Sequence, residues 1–100
     1  MDYCLVDLET GGLVAANHAI MSVGLLRLNG DLNPIEERYW TVFDPLKIVT
    51  EEALAVNHLE IDPATATPVD KLLAELEWYF QDATLCAHNA PFDIGWLNNR

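Results

Sequence analysis

The stretch Val6-Asp7-Leu8-Glu9-Thr10-Gly11-Gly12-Leu13 is the most informative part of this 100-residue chain. It places two carboxylates two residues apart at the end of an apolar run. Because side chains alternate between the two faces of a strand, we expect Asp7 and Glu9 to project from the same face. The glycines that follow end the strand and leave room beside it. The stretch therefore predicts a strand that ends in a pair of acids facing one way.

A second stretch, His88-Asn89-Ala90-Pro91-Phe92-Asp93, adds a third carboxylate just past another apolar run. Three carboxylates that converge on one spot repel one another unless a cation lies between them. Sites of this kind bind divalent metal ions through oxygen ligands and support phosphate chemistry. Asp7, Glu9 and Asp93 are therefore candidate metal ligands and candidate catalytic residues.

The composition is that of one small globular domain. Hydrophobic residues make up 51% of the chain, which is enough for a single core. The chain opens without a basic region ahead of an apolar one, so we expect no signal peptide. No apolar run is long enough to span a bilayer, and we expect a cytoplasmic protein without a membrane partner. Cys4 and Cys86 lie in apolar runs and are interpreted as buried free thiols.

The formal charge of −11 limits the ways in which this chain could bind nucleic acid. Proteins that follow long stretches of phosphate backbone are usually basic. An acidic protein can still act on the end of a strand, where metal ions and main-chain amides hold a few nucleotides. The charge therefore argues against a lysine-lined groove and leaves recognition of strand ends open.

Local signals predict four strands and three helices in the order β-β-β-α-α-β-α. Thr50 is predicted to cap a short helix that starts with two acids, Glu51 and Glu52. Thr67 is predicted to cap the longest helix, with Pro68 at its first position. The first strand is expected to be buried on both faces. The predicted strands are Tyr3 to Leu8, Ala19 to Leu28, Glu36 to Phe43 and Thr84 to Ala87.

This order predicts an α/β fold with a mixed sheet. Short links favour an antiparallel meander of the first three strands, and a helical crossover favours a fourth strand parallel to the first. The carboxyl ends of parallel strands open on one edge of the sheet, where ligands bind in such folds. We therefore expect Asp7 and Glu9 to lie near His88, Asn89 and Asp93.

On these residues the chain resembles the DnaQ-like, or DEDD, 3′–5′ exonucleases. The stretch from Asp7 to Leu13 resembles the first motif of that family, and the stretch from His88 to Asp93 resembles the second. Ile20 to Gly24 resembles the strand after the first motif, and Glu52 to His58 resembles the helix between the motifs. The resemblance implies an RNase H-like fold. It also implies that residues 1–100 form the N-terminal two-thirds of the usual family domain.

The resemblance further implies metal-dependent hydrolysis of the terminal phosphodiester bond at the 3′ end of DNA or of short single strands. Two Mg²⁺ or Mn²⁺ ions would be held by Asp7, Glu9 and Asp93, with Asp7 as the bridge. DNA ends are favoured over RNA ends as the partner.

Five further positions are implied to contact the substrate. Main-chain N–H groups of Thr10 and Gly11 would bind the 3′ end, and Leu13 would wedge against the terminal base. Asn89 and Phe92 would line the same pocket.

The chain departs from the family pattern because it ends before a third motif. That motif supplies a fourth acidic ligand and, in many members, a histidine or tyrosine that activates the attacking water. His18, in the loop after the first motif, is a candidate replacement for this base. The last predicted helix ends at Arg100 without a stop signal, and its exposed Trp96 and Leu97 would favour a homo-oligomer.

Several alternatives stay open at this stage. The chain is also compatible with a catalytically dead remnant that binds metal, nucleic-acid ends or a protein. An exoribonuclease is a further alternative, because no residue pattern reads a 2′-hydroxyl. Asp7 and Glu9 are compatible with ordinary strand-end acids, Asp93 with a first-turn helix acid, and Asn89 with a helix N-cap.

Overall fold

The computed structural model describes residues 2–59, 61–81 and 83–87. Within these residues, five strands and two helices follow one another as β1 (Asp2–Thr10), β2 (Ile20–Leu28), β3 (Pro34–Phe43), α1 (Glu51–Asn57), β4 (Thr67–Pro68), α2 (Val69–Phe80) and β5 (Ala83–Ala87). Within this described part, no helix combines the length and the apolar character that crossing a bilayer requires.

The strands form one mixed sheet in the order β4-β3-β2-β1-β5. β1, β2 and β3 are an antiparallel meander, and β5 runs parallel to β1 with Val6 opposite Ala87. The predicted α/β fold, with its meander and its parallel late strand, is confirmed. The parallel pairing also means that β1 and β5 end at the same edge of the sheet.

The prediction that β1 is buried on both faces is wrong. Cys4, Val6 and Leu8 are buried, whereas Asp7 and Glu9, on the opposite face, are exposed. The buried residues belong to the hydrophobic core that includes residues of α2. A helix that covers one side of a strand imposes this alternation, because neighbouring side chains point to opposite faces.

The start of α2 also differs from the prediction. Thr67 and Pro68 pair with Val42 and Phe43 as the short strand β4, and the helix begins at Val69 with Pro68 as its N-cap. Pro68 provides no side-chain cap. The sheet therefore takes up the two residues that the sequence pattern assigned to the helix. The predicted cap of α1 is confirmed, since the Thr50 side chain accepts a hydrogen bond from the Ala53 N–H.

The core lies between α2 and one face of the sheet. Leu72, Leu76 and Tyr79 are buried at helical spacing against the strands. Cys4 and Cys86 are both free, and Cys4 is buried whereas Cys86 is half-buried. Burial raises the pKa of the Cys4 thiol, which keeps it protonated and unreactive.

A polar cluster on the same face fixes α2 to β3. The Trp40 indole donates to Glu75 at 2.7 Å, and the Arg38 guanidinium donates to the Tyr79 hydroxyl at 2.7 Å. Arg38 also stacks 4.8 Å from the centre of the Trp40 ring. The Tyr79 hydroxyl donates in turn to Glu36. Burial, followed by this hydrogen bond to Glu36, raises the pKa of Tyr79.

Shortening a core side chain on α2 should destabilise the whole domain. Leu72 is completely buried, so Leu72→Ala is expected to cost about 2–5 kcal/mol of unfolding free energy, because a cavity remains. Urea titration followed by circular dichroism measures the loss. The exposed Glu77 on the same helix provides the control, and Glu77→Ala should stay within about 0.5 kcal/mol of wild type. Equal losses in the two variants would contradict the proposed packing.

His58 occupies a backbone conformation that suits glycine. It ends α1 with φ 54° and ψ 28°, and its N–H donates to Leu54 O. The left-handed conformation strains any residue with a Cβ, so His58→Gly should stabilise the protein by about 0.5–1 kcal/mol even after the extra entropy of the unfolded glycine. His58→Ala is the control and should bring no gain. If alanine stabilised as much as glycine, the loss of the imidazole rather than the backbone would be responsible.

Candidate active site

Asp7 and Glu9 project from the exposed face of β1 near its carboxyl end. Their partners on β2 are Gly24 opposite Asp7 and Ser22 opposite Glu9. A Cβ built on Gly24 would meet no atom closer than Asp7 O at 3.9 Å, so the space beside Asp7 is open. Asp7 and Glu9 therefore lie on the same face of β1, as predicted.

The two acids line an open cavity of about 410 Å³, which we call the acidic cavity. Asn57 at the end of α1 and Tyr39 on β3 also border it, and Ser22 is its buried polar residue. No lysine, arginine or histidine is among the described residues that line it. Neither carboxylate forms an ion pair with a described residue. The negative charge of the cavity is therefore uncompensated within this part of the chain.

This donor set fits a hard divalent cation. Two carboxylates on alternate residues of a strand have Cα atoms about 6.6 Å apart, and both are oxygen ligands of the kind that Mg²⁺ and Mn²⁺ prefer. Among the described residues no group of three histidine, cysteine, aspartate or glutamate side chains is placed to hold a metal. Asp7 and Glu9 are thus an incomplete ligand set.

A second cavity, of about 390 Å³, adjoins the first and is called here the apolar cavity. Glu9 and Asn57 line both cavities, and Leu13 and Ala53 contribute to the walls of the second. The Leu13 side chain is 84% exposed. An aliphatic group this exposed at the rim of a cavity is free to contact a flat apolar ligand. Leu13 therefore lies at the rim of the apolar cavity, and its contact with a terminal base stays a prediction.

Thr10 and Gly11 hold the end of β1 in place. The Thr10 hydroxyl donates to Gly12 O, and Thr10 O accepts from the Asn57 side chain, both at 2.8 Å. The Gly11 N–H donates to Ala19 O at 2.8 Å. Because that N–H is already engaged, the predicted donation from Gly11 to a substrate does not fit this structure.

Gly11 is instead required by close packing of two loops. A Cβ on this residue would lie 2.7 Å from Ile48 O and 2.8 Å from Val49 Cα, which is closer than real contacts allow. Its own carbonyl accepts from Thr50 N at 2.7 Å. Gly11 therefore lets the loop that leads into α1 lie directly against the end of β1.

His18 stabilises the loop after β1. Its Nδ1 lies 3.1 Å from Val14 N and 3.2 Å from Val14 O, and its ring packs so closely on Gly12 that a Cβ there would be 2.5 Å away. His18 lines neither of the two cavities. These contacts support a structural role for His18 and give no support to its use as the missing base.

Two residues of the site were missed by the sequence predictions. Asn57 joins α1 to Thr10 and borders both cavities. Ser22 is buried beside Glu9. The only sequence signal was that the segments around these two residues resemble a strand and a helix of the family. Such a resemblance predicts the strand or helix but does not show which of its side chains belongs to the site. The predicted roles of Asn89, Phe92 and Asp93, and the exposure of Trp96 and Leu97, fall outside the described residues and stay predictions.

Comparison with known proteins identifies the family to which this chain belongs. The sequence model of the RNase T family, described as exonuclease, matches residues 5–100. The PolC-type DNA polymerase III of Halalkalibacterium halodurans is 31% identical over 99 residues, and that of Streptococcus suis is 27% identical over 97 residues. These alignments cover 97% and 96% of this chain, but only 7% and 6% of the two polymerases.

Solved structures agree on the fold. Escherichia coli exonuclease I in complex with a dT13 oligonucleotide superposes with a TM-score of 0.80 at 18% identity, covering 96% of this chain and 22% of that one. A product-bound exonuclease I gives 0.79 at 18% identity, covering 96% and 24%. At this identity the likeness establishes the RNase H-like fold alone. Because the family model spans nearly the whole sequence, the chain belongs to the RNase T family of DnaQ-like exonucleases.

Proposed function

We propose that this chain carries the acidic half of a 3′–5′ exonuclease site that hydrolyses the terminal phosphodiester bond of DNA. The observation that carries the proposal is the pairing of Asp7 and Glu9 in a cavity without a described cationic partner. The exonuclease family of the chain supplies the reaction class. The polymerase and exonuclease I relatives favour DNA over RNA as the substrate.

In this proposal Asp7 and Glu9 hold divalent cations, Mg²⁺ or Mn²⁺, and Asp93 completes the ligand set. When bound, two such ions supply an activated water and charge stabilisation at the phosphorus and at the leaving 3′ oxygen. The protein contributes fixed positions for the carboxylates. β1 provides that rigidity because it lies inside the sheet, paired with β2 on one side and β5 on the other.

The apolar cavity is proposed to receive the last nucleotide of the strand. Leu13 and Ala53 offer aliphatic contact to a base, which every base can accept because each has an apolar face. Thr10 is proposed to bind the 3′ end, and Asn89 and Phe92 to complete the pocket. Such contacts do not read sequence, as a non-specific exonuclease requires.

The charge of the chain supports binding of a strand end over a long strand. Neither cavity is lined by a described lysine or arginine, and the formal charge is −11. Contact with many phosphates would therefore be repulsive. Cations held by Asp7 and Glu9 reverse the charge only where a single terminal phosphate must approach. A cytoplasmic location is part of the proposal.

The reaction and its direction can be tested with a 5′-labelled single-stranded DNA oligonucleotide and MnCl₂. Products are expected to shorten step by step from the 3′ end, and EDTA should stop the reaction. Asp7→Asn removes a ligand worth several kcal/mol to the transition state, so the rate should fall by at least about 100-fold. Asp70→Asn on α2, an exposed acid outside both cavities, is the matched control and should keep the wild-type rate.

Other outcomes of the same assay are decisive. Intact substrate after incubation with the wild-type chain, alongside measurable Mn²⁺ binding, would contradict the exonuclease and leave a binding role. Faster degradation of the matched RNA oligonucleotide would replace DNA by RNA as the substrate.

The role of Leu13 at the rim predicts a change in substrate affinity. Leu13→Ser should raise KM for the oligonucleotide about tenfold, because about 1.4 kcal/mol of apolar contact is lost. Its thermal stability should not change, since the side chain is exposed. Leu46→Ser is the control, because Leu46 is 93% exposed and lines neither cavity. A KM that rises equally in both variants would remove Leu13 from the substrate pocket.

A further inference from the structure

Ser22 is a buried polar residue whose hydroxyl group is unsatisfied by hydrogen bonds to the described residues. Its side chain is 1% exposed, yet it borders the acidic cavity. Its hydroxyl forms no hydrogen bond with any residue that the structure describes. Buried hydroxyl groups are nearly always hydrogen-bonded. A group in or beside the cavity is therefore expected to be the partner.

The strand register points to Glu9 as that partner. Ser22 on β2 lies directly opposite Glu9 on β1, and both side chains face the cavity. Side chains directly opposite each other across two strands have Cβ atoms about 4.5–5.5 Å apart, which rotation of the side chains can convert into one hydrogen bond. Asp7 has no such neighbour, because Gly24 lies opposite it.

An irregularity in the ladder also falls at this point. Glu9 pairs with Ser22 whereas Thr10 pairs with Ile20, so Met21 is an extra residue on β2. A bulge of this kind twists the strands locally and changes the direction of the neighbouring side chains. Ser22 directly follows the bulged Met21 and is the first residue of β2 in regular register with the acidic end of β1.

We propose that Ser22 is a positioning residue whose hydroxyl donates a hydrogen bond to the Glu9 carboxylate and fixes its orientation for cation binding. The inference rests on the proposed function, because Glu9 must be a cation ligand. Carboxylates that bind metals are commonly held by hydrogen bonds of their own, and the loss of such a partner weakens metal affinity. In this role Ser22 orients Glu9, which holds the cation, and does not itself contact the substrate.

The test is direct Mn²⁺ binding to the 100-residue chain, without nucleic acid. Bound Mn²⁺ is counted by the loss of the free-ion electron paramagnetic resonance signal. Ser22→Ala should weaken binding about tenfold, and Ser22→Thr, which keeps the hydroxyl, should restore it. Thr41→Val is the matched control, because Thr41 pairs with Ser22 from β3, one strand further from Glu9. This control should bind Mn²⁺ like wild type.

Two additional variants separate positioning from other effects. In a Glu9→Gln background, Ser22→Ala should cause no further loss, because the hydroxyl acts through Glu9. Ser22→Cys fills nearly the same volume but carries a weakly donating thiol, so it should behave like alanine if the hydrogen bond matters. It also serves as the test variant if Ser22→Ala does not fold, as judged by circular dichroism.

The outcomes distinguish this inference from the proposed function. If wild type binds Mn²⁺ and Ser22→Ala and Ser22→Cys bind it equally well, the positioning role is wrong and the carboxylate site stands. If Ser22→Ala weakens binding as much in the Glu9→Gln background as in wild type, Ser22 does not act through Glu9 and the inference is overturned. If wild type binds no Mn²⁺, the metal site fails, and the positioning role fails with it.

Discussion

The alternation of side chains along β1 is the constraint on which the rest of the structure depends. One face of the strand carries Cys4, Val6 and Leu8 into the core, and the other carries Asp7 and Glu9 towards solvent. A shift of one residue would bury both acids and expose the apolar set. The hydrophobic contact with α2 therefore fixes where the carboxylates point, although α2 contributes no residue to either cavity.

The parts of the fold that follow from local periodicity and short-range topology could be predicted from the sequence. The common face of Asp7 and Glu9 needs only the period of a strand, and the parallel pairing of β1 and β5 needs only a crossover between them. The formation of β4 could not be predicted, because it depends on pairing of Thr67 with Val42, 25 positions earlier. A threonine followed by a proline is compatible both with the start of a helix and with a short strand, so the local sequence does not distinguish the two.

Site residues contributed by loops and by other strands were harder to predict for the same reason. Asn57 reaches Thr10 across 47 positions, and Ser22 meets Glu9 only through the register of a bulged hairpin. The prediction for Gly11 rested on its motif. In the structure, the Gly11 N–H donates to Ala19 O, and the absence of a Cβ lets Ile48 pack against this residue. The sequence pattern pointed to the acids because paired carboxylates are typical of metal sites. It missed Asn57 and Ser22, which depend on contacts between distant parts of the chain.

Electrostatics connects this architecture to the chemistry of the site. Two like charges on one strand face cost free energy when they lie close together, and water reduces that cost only while the acids stay exposed. A substrate that covers the cavity excludes this water and strengthens the repulsion. In the proposed function, cations would therefore have to bind before or together with a phosphodiester. Under the proposed function, the uncompensated pair Asp7 and Glu9 would make phosphate binding dependent on metal, and this dependence would let an acidic protein act on a polyanion at its end.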